Sequence, residues 1–381
     1  MMAKKKAIII RGNSLDRETR ATKIIKKLTE NNYDVHLLWW DRGLTVQRSE
    51  RGEAGTQFSE TVFNFKAPWG PKSLICLPFW WAFIFYNLLT KEWDIVHAIQ
   101  VISLPPAIVA GKIKRKPVVY DMLDTYEDSI LLPRVIRNFC VAVDKLFMRL
   151  ADAVVLADEE QVLEVNGIPN DNVEVIYDSP ETNATIYRQN TRNEVFTLFF
   201  AGSLHSGKYL NLDKIFEALK SLDDVKVIIA GHGDLVPYIK SIEEEMPAKV
   251  EYIGEISHAD VLQRSADADL LFMLRDPVLP VNKYICGSKI LESMMCGTAI
   301  IVNDGSSTAN IVRRTNCGFV VNAHNVEELV GAINKLKDNP AICTQFGING
   351  RNAYDTTYSW DIMGNRLLML YERILTRNTR S

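Results

Sequence analysis

No two cysteines in this 381-residue chain stand at CxxC spacing, and its six histidines do not cluster with its six cysteines. Cys76, Cys140, Cys286, Cys296, Cys317 and Cys343 are scattered, which argues against a structural zinc site and fits free thiols in a reducing compartment better than a disulfide framework. Charge of one sign is also missing. Lys+Arg number 44 against 47 Asp+Glu, and a net charge of -3 supplies no overall basic field to gather nucleic acid. No internal repeat or low-complexity tract stands out. Long apolar runs are scarce: "SLICLPFWWAFIFYNLL", residues 73–89, is near the lower length limit for crossing a bilayer, and Pro78 interrupts it. Three readings are open for this segment. It can be a core helix, a helix in a membrane interface where Trp80, Trp81 and Tyr86 suit the zone, or a spanning helix. The last sits poorly with "KEWDIVHAI" directly after it, which reads as a core strand. The opening "MMAKKKAIII" is basic then apolar, but it reaches Arg11 and Asn13 at once and reads as a first strand rather than a leader.

What is present is globular. Hydrophobic residues make up 47% and charged residues 24%, and the length exceeds what one ordinary core serves, so two domains are expected. Strand and helix patterns alternate: "KAIII", "DVHLLWW", "DIVHAI", "KPVVYDM", "DAVVLAD" and "NVEVIYDS" in the first half, then "VFTLFFAGSL", "VKVIIAG", "VEYIG", "DLLFML", "TAIIV" and "GFVV", with helices such as "RETRATKIIKKLTEN" and "LDKIFEALKSL" between them. Short apolar strands separated by helices predict parallel sheets covered on both faces. The polar stretch 179–194 is the linker candidate. The expected fold class is α/β, with two doubly wound parallel-sheet domains facing a cleft that holds the ligand.

Three segments carry chemistry. In "FFAGSLHSGKYL", Gly202, Gly207 and Lys208 match G-x4-G-K after a strand, but Tyr209 stands where a triphosphatase needs Ser or Thr for magnesium. Lys208 is then either a solvated loop lysine or a cation aimed at a phosphate. In "IIAGHGDLVPYI", Val236 occupies the third glycine position of G-x-G-x-x-G, so a nicotinamide dehydrogenase is poorly supported. Gly231 and Gly233 make either a tight turn or a close approach of backbone to ligand. In "CGSKILESMMCGTAII", Gly287 and Ser288 open a helix, and Lys289 lies in its first turn, where the dipole is already positive. A ligand anion would explain that lysine, because amides, dipole and ammonium all favour phosphate. Glu292, one turn on, is placed to accept from ribose hydroxyls. The alternative is a Lys–Glu surface pair worth a few tenths of a kcal/mol, roughly.

These segments resemble the family 4 glycosyltransferases over nearly the whole chain. "NKYICGSKILESMMCGTAIIV" looks like the family's donor-site segment, "FFAGSLHSGK" and "IIAGHGD" like its two glycine loops, and "VEYIGEIS" like its base-contacting loop. "DIVHAI" and "PVVYDMLDTYED" resemble the paired strands beside the cleft, and "YSWDIMGNRLLMLYERIL" its closing helix. The resemblance implies a GT-B fold of two Rossmann-like domains: 1–185 on the acceptor side, 186–355 for the nucleotide sugar, and 356–381 as a helix returning to the first. It implies transfer of a sugar from a nucleotide-diphosphate donor to a glycan or lipid-linked hydroxyl with retention, without metal or resident cofactor. Lys208, Lys289 and the helix start at Gly287 and Ser288 would stabilise the departing diphosphate, and Asp121 and Asp124 are the carboxylates nearest the acceptor. Gly12, Asn13, Gly202, Ser203, Gly231, Gly233, Ile256, Tyr284 and Glu292 would line the donor site. The expected partners are the sugar nucleotide, the acceptor and a membrane face met by 73–89, with no nucleic acid. The expected location is the cytoplasm, at the inner face of the membrane. Three positions depart from the family pattern. Ser203 replaces a frequent Arg, Tyr284 a frequent Glu, and Leu123 a frequent His. They support an alternative: a catalytically weak or inactive relative that binds nucleotide or glycan as a partner subunit.

Overall fold

The computed structural model describes residues 4–13, 20–43, 58–68, 71–123, 134–182, 186–188, 193–208 and 210–378. The chain divides into two compact units, Met1–Ile176 with Gly364–Ser381, and Tyr177–Met363. The change of unit thus falls at 176/177 and the return at 364, where the sequence expectation put 185/186 and 356.

The first unit holds seven strands: β1 Lys5–Arg11, β2 Tyr33–Asp41, β3 Ser59–Asn64, β4 Ile95–Ile99, β5 Val118–Met122, β6 Ala153–Leu156 and β7 Val173–Val175. All pair in parallel in the order β3-β2-β1-β4-β5-β6-β7. β4, β5 and β6 are buried at every position, as strands covered on both faces must be. β3, "SETVFN", is an edge strand with half-exposed residues; its polar composition hides it from a search for apolar runs. The helix Arg20–Glu30 lays Ile24, Ile25 and Leu28 on the sheet. Trp80 anchors the helix Leu77–Thr90 by stacking on Trp40, ring centroids 5.6 Å apart. That helix is half core and half surface: Trp80, Ile84 and Leu88 are buried, whereas Phe79, Tyr86 and Leu89 are exposed. Among the described residues no helix is long and apolar enough to cross a membrane.

The second unit holds β8 Phe196–Ser203, β9 Val225–His232, β10 Val250–Tyr252, β11 Leu270–Met273, β12 Ala299–Asn303 and β13 Gly318–Val321. These are also all parallel, in the order β10-β9-β8-β11-β12-β13. Each sheet is therefore doubly wound. The strand order reverses between β1 and β4 in the first unit and between β8 and β11 in the second. In such sheets ligands bind outside the carboxyl ends of the strands at the reversal.

Candidate functional site

At the reversal in the second unit, Gly202 near the end of β8 pairs with Gly231 on β9. A Cβ on Gly231 (φ +136°) would lie 1.9 Å from the Gly202 carbonyl oxygen, and one on Gly233 (φ +151°) 2.1 Å from that of Leu204. Both glycines are thus required by the approach of two loops to each other, whatever binds there. A third loop joins them: the Gly231 amide donates to Gly254 O at 2.8 Å, and the Tyr252 hydroxyl donates to Gly231 O at 2.6 Å. Ile256, in that third loop, is half-buried. Asp234 clamps the loop after β8, accepting from the Ser206 amide at 3.1 Å and pairing with His205 Nδ1 at 2.7 Å. The Ser206 hydrogen bonds, offset in part by desolvation, and that histidine hold Asp234 down to about 2. Lys208 lies in the short helical turn Ser206–Lys208. Tyr209 and Asp124 lie outside the described residues.

The helix Ser288–Cys296 starts at Gly287 without a side-chain cap. The Gly287 amide is engaged by Thr308 Oγ1 at 3.3 Å. A Cβ here would meet Met273 Sδ at 2.4 Å, so a larger residue would have to push the end of that methionine aside. Beyond its first turn the helix is core, with Ile290, Leu291, Met294 and Met295 buried. Lys289 Nζ donates to Glu292 Oε2 at 2.9 Å and Oε1 at 3.2 Å, and the two side chains are only 17% and 6% exposed. This pair is withdrawn from solvent, unlike the exposed helix pairs worth a few tenths of a kcal/mol, roughly. A Cβ on Gly202 would sit 3.6 Å from Lys289 Cε, so the lysine stem runs beside the end of β8. Ser203 and Tyr284 are half-buried and Ser288 is exposed; the Lys283 ammonium lies 5.1 Å from the Tyr284 ring centroid. Sequence reasoning did not single out Arg275, two residues beyond β11. Its Nη1 lies 3.7 Å from where a Cβ on Gly287 would be. Burial pushes its guanidinium below the usual arginine range, with Cys286 acting in the opposite sense. The only signal in the sequence is a charged residue closing the apolar run "DLLFML".

At the reversal in the first unit, Gly12 follows β1, and a Cβ there would strike Ile102 Cδ1 at 2.4 Å. The half-buried Asn13 has an enclosed Oδ1 that meets no hydrogen-bond donor among the described residues. Asp121, expected at the acceptor, lies near the end of β5. Its carboxylate is wholly enclosed, paired through Oδ2 with Arg20 Nε at 2.8 Å and His97 Nε2 at 2.9 Å. Burial raises its pKa, but Arg20 and His97 outweigh that and hold the group below the usual carboxylate range. It has no exposed face. The Tyr371 hydroxyl bonds His97 Nδ1 at 2.9 Å, so the C-terminal helix Trp360–Asn378 is fastened to this cluster. His97 and Tyr371 lie in segments that the sequence set beside the site; their partnership with Asp121 did not show there.

Residues 183–353 match the family described as "Glycosyl transferases group 1". This match covers the part of the chain where the donor-site motifs resemble the family 4 glycosyltransferases. A GDP-mannose-dependent monoacylated alpha-(1-6)-phosphatidylinositol monomannoside mannosyltransferase of Corynebacterium glutamicum is 25% identical over 154 residues, 40% of each chain. The matches to the curated relatives extend over about half of their length or less. Among solved structures, a sucrose-phosphate synthase of Thermosynechococcus elongatus has a TM-score of 0.74 at 14% identity, covering 98% of this chain and all of the other. Anabaena HepE in complex with UDP also has a TM-score of 0.74, at 16% identity over 97% of this chain and all of the other. These likenesses show the fold, two Rossmann-like units of the GT-B class.

Proposed function

We propose that the protein transfers a sugar, with retention, from a nucleoside-diphosphate sugar to a hydroxyl of a lipid-linked glycan acceptor, as one step of envelope polysaccharide or glycolipid synthesis. The observation that carries this reading is the uncapped start of the Ser288 helix at the β8–β11 reversal. There Lys289 and Glu292 are withdrawn from solvent beside the glycine loops. On this reading Glu292 accepts from the ribose hydroxyls, and the loop around Gly254 and Ile256 meets the base. Lys289, Lys208 and the first-turn amides take the diphosphate. Negative charge grows on the diphosphate as the glycosidic bond breaks, and fixed cations and amides aimed there lower that barrier. Side-chain ammonium groups and main-chain dipoles supply this stabilisation, so metal-independence is part of the proposal. The acceptor proton passes to the donor phosphate, since Asp121 is enclosed.

The lipid character of the acceptor is supported by the surface of the first unit. Ile75, Phe79, Tyr86 and Leu89 are exposed at helical spacing, and Val109, Ile113 and Lys112 are exposed on the helix Leu104–Lys114 that packs beside them. Aromatic and aliphatic groups with nearby lysine suit an anionic membrane interface, and we assign peripheral contact there, at the cytoplasmic face. The Corynebacterium relative is named for a phosphatidylinositol-based acceptor. The test is a thermal-shift screen with uridine, guanosine and adenosine diphosphates, followed by hydrolysis of the matching sugar nucleotides. A nucleotide that both stabilises the protein and is released from its sugar supports the reading; no stabilisation by any of them defeats it.

A further inference from the structure

Arg275 is a half-buried arginine. Among the described residues no carboxylate or hydrogen-bond acceptor takes its guanidinium, and only its backbone oxygen is engaged, accepting from Asn303 Nδ2 at 3.2 Å. Charged side chains withdrawn from water are ordinarily paired, because desolvation of an unpaired ion is expensive. The neighbourhood makes the omission worse. Nη1 stands against Gly287, the cap of a helix whose start is itself positive, and Lys289 adds an ammonium in the first turn. The carboxylate of Glu292, one turn into this helix, is taken by Lys289. Two features of one sign, Arg275 and the helix start, therefore meet at the carboxyl end of β11, with the Lys289–Glu292 pair beside them at the β8–β11 reversal. Stability alone does not build such a place; an anion of more than one charge resolves it.

We infer that Arg275 is a binding residue for the diphosphate of the sugar nucleotide, gripping its oxygens from the β11 side while Lys289 approaches from the β8 side. The inference rests on the donor site proposed above and names a group that the sequence did not offer. A planar fork of N–H donors suits two phosphate oxygens at once, which an ammonium does not reproduce. The experiment compares Arg275→Gln and Arg275→Lys with the unaltered protein by calorimetric titration with uridine and guanosine diphosphates and with the two bare nucleosides, and by melting without ligand. Arg275→Gln should weaken the bound diphosphate at least about tenfold, Arg275→Lys by less, and neither should change nucleoside binding. Without ligand, Arg275→Gln should melt at the same temperature or higher, since an unpaired cation is removed. Equal diphosphate affinity in Arg275→Gln overturns the inference and leaves the transferase reading standing if Lys289→Ala still abolishes affinity. A ligand-free melting point several degrees lower, or parallel loss of nucleoside and diphosphate, makes Arg275 structural and also overturns it. If the unaltered protein binds neither diphosphate, the inference and the transferase reading fall together.

Discussion

The two units repeat one architecture and use the carboxyl ends of their strands in opposite ways. In the first, charge is closed off: Arg20, Asp121, His97 and Tyr371 form a chain of contacts between 2.8 and 2.9 Å, with Asp121 wholly enclosed. In the second, charge is less closed off: the helix start has no side-chain cap, Lys289 pairs with Glu292 at the edge of solvent, and among the described residues no acceptor takes the Arg275 guanidinium. A doubly wound sheet offers the same position twice, and the side chains there decide whether it becomes a fastening or a binding site. Ser203 puts no cation at the end of β8, so the positive groups described in the second unit come from elements further along the chain.

The comparison breaks most sharply at Lys289. Lys289→Ala should lower sugar transfer by about 100-fold or more while the fold persists, read from an unchanged circular dichroism spectrum. Near-normal turnover would mean that the open end is not the working one. Asp121→Asn should do the reverse. It removes the counter-charge of an enclosed arginine, at a cost of about 3 kcal/mol in unfolding free energy, read from urea denaturation. Nucleotide affinity of the second unit should hold. A stable Asp121→Asn protein with lost transfer would return that aspartate to the active site.

Tyr371→Phe sharpens the same contrast on a smaller scale. It deletes one buried hydrogen bond to His97, and about 1 kcal/mol should be lost. Limited proteolysis at the C-terminal helix should detect the loosening first. The smallest effect is one of pH. His36, on β2, bonds Ser59 Oγ at 2.6 Å and Thr61 Oγ1 at 2.8 Å, and burial, aided by Lys91, lowers its pKa from 6.5 to about 4. The unfolded chain then takes up a proton that the folded chain refuses across this window. The His36 contribution is level above 6.5 and turns against the fold as pH falls from 6.5 toward 4. Urea midpoints measured across that range should show the decline in the natural protein and a shallower one in His36→Gln.

Much of this was legible in the sequence because the signals are local. The apolar runs that became β1, β2, β4, β5 and β8–β12 announce strands covered on both faces, and a lysine misplaced against a helix dipole marks the helix start for which we propose an anion site. β3 was not legible, being a polar edge, and the half-exposed character of the helix Leu77–Thr90 was not, since composition does not say which side meets the core. By itself the sequence determined the fold class and pointed to the segment proposed as the donor site, where a few adjacent residues would carry the chemistry. Only the tertiary structure decided the rest. Whether a carboxylate is a base or a buried fastening depends on an arginine 101 residues away, and that cluster's tie to the last helix spans 274 residues. Charge acquires its meaning from what surrounds it, and those surroundings are assembled by folding.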